Sequence, residues 1–338
     1  MIKEAINTLV SSNSLSFEQA TAVMEEIMSG EATPAQIAAF ITALRIKGET
    51  VDEIAGMASV MREKAVPVKT KPPVIDTCGT GGDNCSSINI STAAAFVAAG
   101  AGLKVAKHGN RAMTSRCGSA DVLEALGVKI DLNAEAVAEC LEKVGIGFMF
   151  APIFHPAMKH AAGPRREIGI RTVFNILGPL TNPARAEFQV IGVPSQELGH
   201  KIAAVLHRLG TKHSLVVHSL DGMDELSTSG KSVFWEVNEQ GVLPPSEVEP
   251  ADFGFPKTQI SDIRGGTPEE NAAILRRVLS GEKGAVRDVV VLNAAAAFYA
   301  GNRASDLKEG VRLAEATIDN GQAREKMESL ITLSNSLR

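Results

Sequence analysis

The chain has 338 residues, 44% hydrophobic and 22% charged, enough for about two domains with apolar cores and incompatible with a disordered tail or a fibrous repeat. Its 34 basic and 39 acidic residues leave a net charge of −5, which excludes a general nucleic-acid binder and leaves any anionic ligand to local groups. Four cysteines (Cys78, Cys85, Cys117 and Cys140) form neither a CxxC pair nor a disulfide framework, so a cytoplasmic location is expected. The uncharged runs Cys85–Leu103 and Val144–Met158 are broken by Ser, Asn, Thr, Gly, Pro or His, and no membrane partner is expected. The opening MIKEAINTLV lacks the apolar core of a secretory signal.

In chain order, the first 65 residues read as three short helices. Ser16 with Gln19 makes a capping box ahead of Phe17, Ala20, Met24, Ile27 and Met28 at helical spacing, and Gly30 stops that helix. Thr33-Pro34 opens the second, closed by Gly48, and Thr50 with Glu53 opens the third. Residues 1–66 are therefore expected to form a small all-helical unit. The Pro-rich stretch Pro67–Pro73 has no periodicity and reads as a connector or hinge. Residues 74–338 then form a larger α/β unit.

Within it, strands are expected at Val74–Asp76, Leu103–Ala106, Phe148–Phe150, Phe188–Val193 and Leu215–His218. Helices at Ser91–Ala99, Asp121–Leu126 and Asn133–Val144 lie between them. That alternation predicts an α/β fold whose mainly parallel central sheet is flanked by helices. Ser232–Asn238 and Gly241–Leu243 read as an antiparallel excursion, and helices follow from Thr267 onward. The segment Gly163–Pro183 reads as irregular and is expected to return to the helical unit.

Four loops after strands carry chemistry. Asp76-Thr77-Cys78-Gly79-Thr80-Gly81-Gly82-Asp83 places three glycines in four positions, letting backbone N–H groups approach an oxyanion. Asn89-Ile90-Ser91-Thr92 begins a helix, where hydroxyls cap N–H groups that can also bind phosphate. Lys107 through Ser115 packs two cations, an imidazole, an amide and two hydroxyls into nine residues and leads to Ser119. Asp221-Gly222-Met223-Asp224-Glu225 offers adjacent carboxylates that suit Mg²⁺. Together they describe a pocket for a magnesium-bound polyphosphate. No GxxxxGK[ST], no GxGxxG on a strand-to-helix turn and no GxSxG is present, so ATP hydrolysis, nicotinamide chemistry and a nucleophilic hydrolase are unsupported.

GTGGD (79–83), NIST (89–92), KHGNR (107–111), CGSADVLEALG (117–127), GPRREIGIRTVFNILGPLTNP (163–183) and DGMDE (221–225) resemble, in order and spacing, the signature set of the anthranilate phosphoribosyltransferase family. The resemblance covers almost the whole chain. It implies Mg²⁺-dependent transfer of a phosphoribosyl group from phosphoribosyl pyrophosphate to anthranilate in tryptophan biosynthesis, and a homodimer formed through the helical domain. It places phosphoribosyl pyrophosphate contacts on Gly79, Gly82, Asp83, Ser87, Asn89, Ile90, Ser91, Thr92, Lys107, His108, Gly109, Asn110, Arg111, Ala112, Met113, Thr114, Ser115 and Ser119. Anthranilate contacts fall on Gly79, Asn110 and Arg165, with His108 and His155 as walls, and the Mg²⁺ ligands on Ser91, Asp224 and Glu225. Lys107, Asn110 and Arg165 are the candidate catalytic residues. Ser87, Ile88, Met113, Thr114 and Met223 depart from the commoner Thr, Phe, Val, Ser and Leu, and only Ile88 loses a ring. The alternatives are a pyrimidine nucleoside phosphorylase-like enzyme and a non-catalytic nucleic-acid-binding relative. The second should show a basic strip and an eroded metal loop, neither of which this acidic chain with Asp224-Glu225 has.

Overall fold

The computed structural model describes residues 1–83, 85–112 and 116–337. The chain starts with four helices, α1 (Ile2–Val10), α2 (Phe17–Met28), α3 (Pro34–Lys47) and α4 (Val51–Lys64). The capping boxes of α2, α3 and α4 form as expected, with Ser16, Thr33 and Thr50 each exchanging bonds with the residue three positions on. Helix α1 corrects the expectation of three helices. It buries Ile2, Ala5 and Leu9 but starts at Met1 with no side-chain cap, so it lacks the sequence mark by which the others are recognised.

The α/β unit runs β1 (Ile75–Gly79), α5 (Ile90–Gly100), β2 (Val105–Gly109), α6 (Ser119–Ala125), α7 (Ala134–Lys143) and β3 (Ile146–Phe150). Three short helices follow: α8 (Ala151–Phe154), α9 (Lys159–Ile168) and α10 (Phe174–Leu177). Then come β4 (Phe188–Gly192), α11 (Gln196–Arg208), β5 (His213–Ser219), β6 (Ser232–Asn238), β7 (Gly241–Val242) and β8 (Ser246–Val248). Helices α12 (Pro268–Leu279), α13 (Ala285–Ala300), α14 (Leu307–Asp319) and α15 (Gln322–Ser336) complete the chain. The sheet order is β3-β2-β1-β4-β5-β6-β7, with β8 also on β6. The first five strands are parallel and the last three antiparallel. Strand order reverses direction between β1 and β4, paired from Ile75–Phe188 to Gly79–Gly192. Such a switch point leaves a crevice beyond the carboxyl ends of the strands, where ligands gather.

Two further expectations need correction. Thr77–Gly79 and Lys107–Gly109, read as loop, are the last residues of β1 and β2, because ladder pairing with β4 and β3 continues past the apolar run. Gly163–Pro183 is not irregular throughout, since it holds part of α9, all of α10 and a single 3₁₀ turn at Gly178–Leu180. Pro164 sits inside α9 and reads locally as a breaker, but packing against α2 and α3 overrides that signal.

One apolar cluster joins α5, α13 and their neighbours to one side of the sheet. The other joins α1–α4 to Ala161, Val173 and Leu177, and continues through α11 to Val216 and Trp235 of the sheet. The core of the helical unit thus runs onto one face of the sheet.

Candidate active site

The glycine loop owes its shape to what crosses it. Gly81 and Gly82 hold φ of 65° and 87°, a left-handed conformation that glycine adopts without penalty. The Gly81 N–H donates to Asp224 Oδ2 at 2.8 Å, and the Thr80 N–H donates to the Gly192 carbonyl at 2.9 Å. A Cβ on Gly192 would collide with the Asp224 backbone carbonyl, so the loop after β5 lies directly across the ends of β1 and β4. From the other side Arg171 Nη2 donates to the carbonyls of Thr80 and Gly81, at 2.9 and 2.8 Å. Its guanidinium also lies against Gly82, where a Cβ would have to displace it.

Helix α5 starts beside this loop. Its cap residue Asn89 makes no side-chain cap bond, because the amide donates to the Cys117 carbonyl and accepts from Asn271 instead. Ser91 and Thr92 stand inside the first turn and do not cap it, which corrects that part of the sequence reading. In the first turn the Ile90 N–H donates to the Ile88 carbonyl at 2.8 Å and the Thr92 N–H to the Asn89 carbonyl at 3.1 Å, and the positive end of the helix borders the cavity, where an anion is favoured. Thr92 Oγ1 is buried with no hydrogen-bond partner among the described residues.

Lys107 is buried under the same helix start. Its Nζ donates to the Thr77 carbonyl at 2.5 Å and lies 3.4 Å from Ser91 Oγ. Burial lowers its pKa, and Asp76 opposes that. Asp76 is itself buried, which pushes it up to about 6, and it accepts from Asn182 Nδ2 at 2.7 Å and the His108 N–H at 3.2 Å. The His108 ring lies 3.2 Å from the Gly178 carbonyl through Nδ1 and leaves Nε2 without a partner among the described residues. His155 stands behind it, ring centroids 5.0 Å apart. Burial drives both imidazoles down, to about 3 and about 4, so both are neutral at pH 7.

At the rim, Arg111 turns to Asp121 and Glu124, 3.0 and 2.7 Å away. Ser119 Oγ donates to the Asn110 carbonyl. Met113, Thr114 and Ser115 lie outside the described residues. Across the cavity Arg165 of α9 lies over the Phe174 ring at 5.2 Å. It has no hydrogen-bond or carboxylate partner among the described residues, and burial lowers its pKa.

Asp224 and Glu225 lie at the bottom. Burial, then the charge of Asp83, pushes Asp224 up to about 7; burial and Asp224 raise Glu225 well above the usual carboxylate range. The glycine loop, the start of α5, Lys107, His108, Arg165, Asp224 and Glu225 surround one cavity of about 370 Å³. Gly81, Ser91, Lys107 and Glu225, from four different segments of the chain, share it, as does every other predicted site residue within the described segments. His155 is the exception among the wall residues, standing one layer back behind His108. Sequence reasoning missed Arg171, Phe174, Asn175 and Pro179, which also line the cavity. Their signals were their position in the segment expected to return to the helical unit and in the quoted signature stretch 163–183.

Two domain families match: "Glycosyl transferase family, a/b domain" over residues 71–324 and "Glycosyl transferase family, helical bundle domain" over residues 3–65. Anthranilate phosphoribosyltransferase of Dehalococcoides mccartyi is 60% identical over 338 residues, spanning 100% of this chain and 99% of the relative. The chain belongs to the anthranilate phosphoribosyltransferase family. Among solved structures of this family, that from Thermus thermophilus has a TM-score of 0.92 at 45% identity, covering 98% of this chain and 99% of that one. The anthranilate phosphoribosyltransferase of Saccharomyces cerevisiae in complex with PRPP (phosphoribosyl pyrophosphate) and Mg has a TM-score of 0.91 at 31% identity, covering 99% and 98%. Membership in this family accounts for both halves of the chain, helical bundle and α/β unit alike.

Proposed function

We infer that this protein transfers the phosphoribosyl group of phosphoribosyl pyrophosphate to the amine of anthranilate, using Mg²⁺, in tryptophan biosynthesis. The observation that carries the reading is one cavity holding opposite chemistries at its two sides: a glycine loop, a helix start and two buried carboxylates on one, and on the other the Arg165 guanidinium, unpaired among the described residues. The first side suits a chelated pyrophosphate and the second a ring carboxylate.

The pyrophosphate is assigned to the N–H groups of Gly79–Asp83, to the start of α5 at Asn89–Thr92, and to the loop Lys107–Ser115 with Ser119. Ser87 and Ile90 support this wall. Lys107 stays buried and acts as a fixed positive charge beneath the leaving group. Among the described residues no three His, Cys, Asp or Glu side chains are grouped to enclose a metal. Asp224, Glu225 and Ser91 Oγ nevertheless fit Mg²⁺, which takes oxygen ligands and keeps positions for water and substrate phosphates. Two carboxylates raised by mutual burial gain from a divalent cation. When bound, it neutralises charge on departing pyrophosphate as a Lewis acid.

Anthranilate is placed against Gly79 and Asn110, with Arg165 gripping its carboxylate through two parallel N–H···O bonds. The aromatic amine is neutral at pH 7 and attacks the anomeric carbon; the new C–N bond forms as the C–O bond to pyrophosphate breaks, and the surplus amine proton leaves to solvent. Orientation then supplies much of the rate. His108 stays neutral beside the cavity, adding no charge that would compete with Arg165. Residues 1–66 with 163–183 are taken as the helical domain, 67–73 as the connector and 74–338 as the remainder. A homodimer through the helical domain, where Val10 and Ile46 are exposed at 65% and 81%, and a cytoplasmic location complete the proposal.

Anthranilate fluorescence tests it. With phosphoribosyl pyrophosphate and Mg²⁺ the signal should decay, and Asp224→Asn/Glu225→Gln should slow that decay by at least about 100-fold, the upper scale for losing one electrostatic group being 10²–10³. Unchanged decay in that variant would remove both carboxylates from the reaction.

A further inference from the structure

Glu225 is followed by Leu226, whose peptide is held in an unusual way. The Leu226 N–H donates to Asn293 Oδ1 at 3.0 Å, and Asn293 Nδ2 donates back to the Leu226 carbonyl at 2.8 Å. The side-chain amide of Asn293 thus pairs with one residue of backbone as a neighbouring strand would. Its second N–H donates to the Val289 carbonyl at 2.9 Å, one turn earlier in α13, which fixes the rotamer. Asn293 is 2% exposed on a helix whose other buried residues, apart from Arg287 in its first turn, are apolar or alanine. A buried amide there is costly unless its bonds are made, and Leu226 takes two of the three.

The same amide borders the site. Asn293 and Glu225 line one narrow crevice together with Thr77, Cys78 and Ser91. Upstream, the loop is tied by Asp221, whose carboxylate accepts from Ser227 Oγ at 2.7 Å, from Ser229 Oγ and from the Met223 N–H. The carboxylate pair therefore sits between two anchors, one inside the loop and one on α13.

We propose that Asn293 is a positioning residue that sets the direction of Glu225, and through it the affinity of the site for its divalent cation, by pairing with the Leu226 peptide. The proposal rests on the assignment of Asp224 and Glu225 as cation ligands. It differs from a packing role because α13 can fill its core with an apolar residue at 293 and still leave the peptide of Leu226 unheld. Groups that orient metal ligands typically change affinity or activity 10- to 100-fold when removed.

Three variants separate the possibilities: Asn293→Ser, Asp224→Asn/Glu225→Gln, and Val311→Ala, a buried truncation on α14 in the same apolar cluster. Each is titrated with Mn²⁺ in the presence of phosphoribosyl pyrophosphate, with free Mn²⁺ read by electron paramagnetic resonance, and its Mg²⁺ half-saturation is measured at saturating substrates. For Asn293→Ser both constants should rise by about 10-fold or more, with kcat at saturating Mg²⁺ reduced far less. Val311→Ala should lower Tm while leaving both constants at their wild-type values. Wild-type constants for Asn293→Ser beside weakened binding in Asp224→Asn/Glu225→Gln would overturn the role of Asn293 alone. Undiminished Mn²⁺ binding in the double variant would instead overturn the cation assignment and the inference with it. An equal rise in Val311→Ala would reduce the effect to general loss of stability and overturn the positioning role.

Discussion

Arg165 and the two neutral histidines show how burial makes a residue specific. An arginine stacked on Phe174 with no carboxylate partner among the described residues keeps its donors available, and its planar fork matches a carboxylate in a way lysine cannot. Arg165→Ala should cost about 1–3 kcal/mol in anthranilate binding, the range for a charge-assisted bond, and Arg165→Lys should recover only part of it. Calorimetric titration of anthranilate into the three proteins checks this; equal affinities would take Arg165 out of the site. His108 and His155 carry a pH consequence. Their folded values of about 3 and about 4 lie below the unfolded value of about 6.5, so the unfolded chain binds more protons as pH falls between those limits. Stability is therefore unpenalised above about pH 6.5 and declines below it, by about 2 kcal/mol per histidine at pH 5. Tm measured at pH 7.5 and 5.0 should drop less steeply for His108→Gln/His155→Gln than for the wild type; parallel slopes would count against buried neutral imidazoles.

Among elements, the helical unit depends on one buried carboxylate. Glu53, with its side chain fully buried, accepts from the Leu15 N–H at 2.9 Å, the Thr50 N–H at 2.7 Å and Lys47 Nζ at 2.8 Å. It thereby ties the loop after α1 and the end of α3 to the start of α4. Removing it leaves the Lys47 ammonium, 7% exposed, with the Gly48 carbonyl and Ser14 Oγ but without its carboxylate, and breaking such a buried pair costs about 3–5 kcal/mol. Glu53→Ala should lower the urea midpoint accordingly. Trp235 is the only tryptophan and belongs to the same apolar cluster, so its fluorescence follows the transition directly. An unchanged midpoint would show that water reaches the pair. The glycine loop depends on elements in a different sense, since its conformation is set by Arg171 on one side and Asp224 on the other, which belong to distant parts of the sequence.

At the scale of the whole molecule, the chain passes between units along paired segments: the Val66 N–H donates to the Phe154 carbonyl and the Val68 N–H to the Pro183 carbonyl. Arg62 of α4 reaches the carbonyls of Leu180 and Leu209. These ties make the connector part of a multi-stranded crossing, and the apolar continuity through α11 restrains motion further. Closure over bound substrates should accordingly be a small rotation that excludes water from the sugar cation. Small-angle scattering with Mg²⁺ and phosphoribosyl pyrophosphate should show a reproducible decrease in radius of gyration, and superimposable profiles would rule the rotation out. Scale also sorts what could be read in advance. Capping boxes, glycine stops and strand-helix alternation are local patterns, so α2–α4, the parallel sheet and the four site-forming segments were legible in the sequence, though not where β1 and β2 end. Uncapped α1 and proline-bearing α9 were not, because only packing against other helices sustains them. The sequence alone determined which residue types stand at the carboxyl ends of the strands, since phosphate and metal chemistry need glycine, hydroxyl and carboxylate in short runs. Only the tertiary structure decided that Arg171 grips the glycine loop, that Lys107 is buried beneath it, and that Asn293 holds the peptide beside Glu225. Those contacts join residues far apart in the chain or depend on burial, and neither spacing nor composition records which distant side chains a fold will press together.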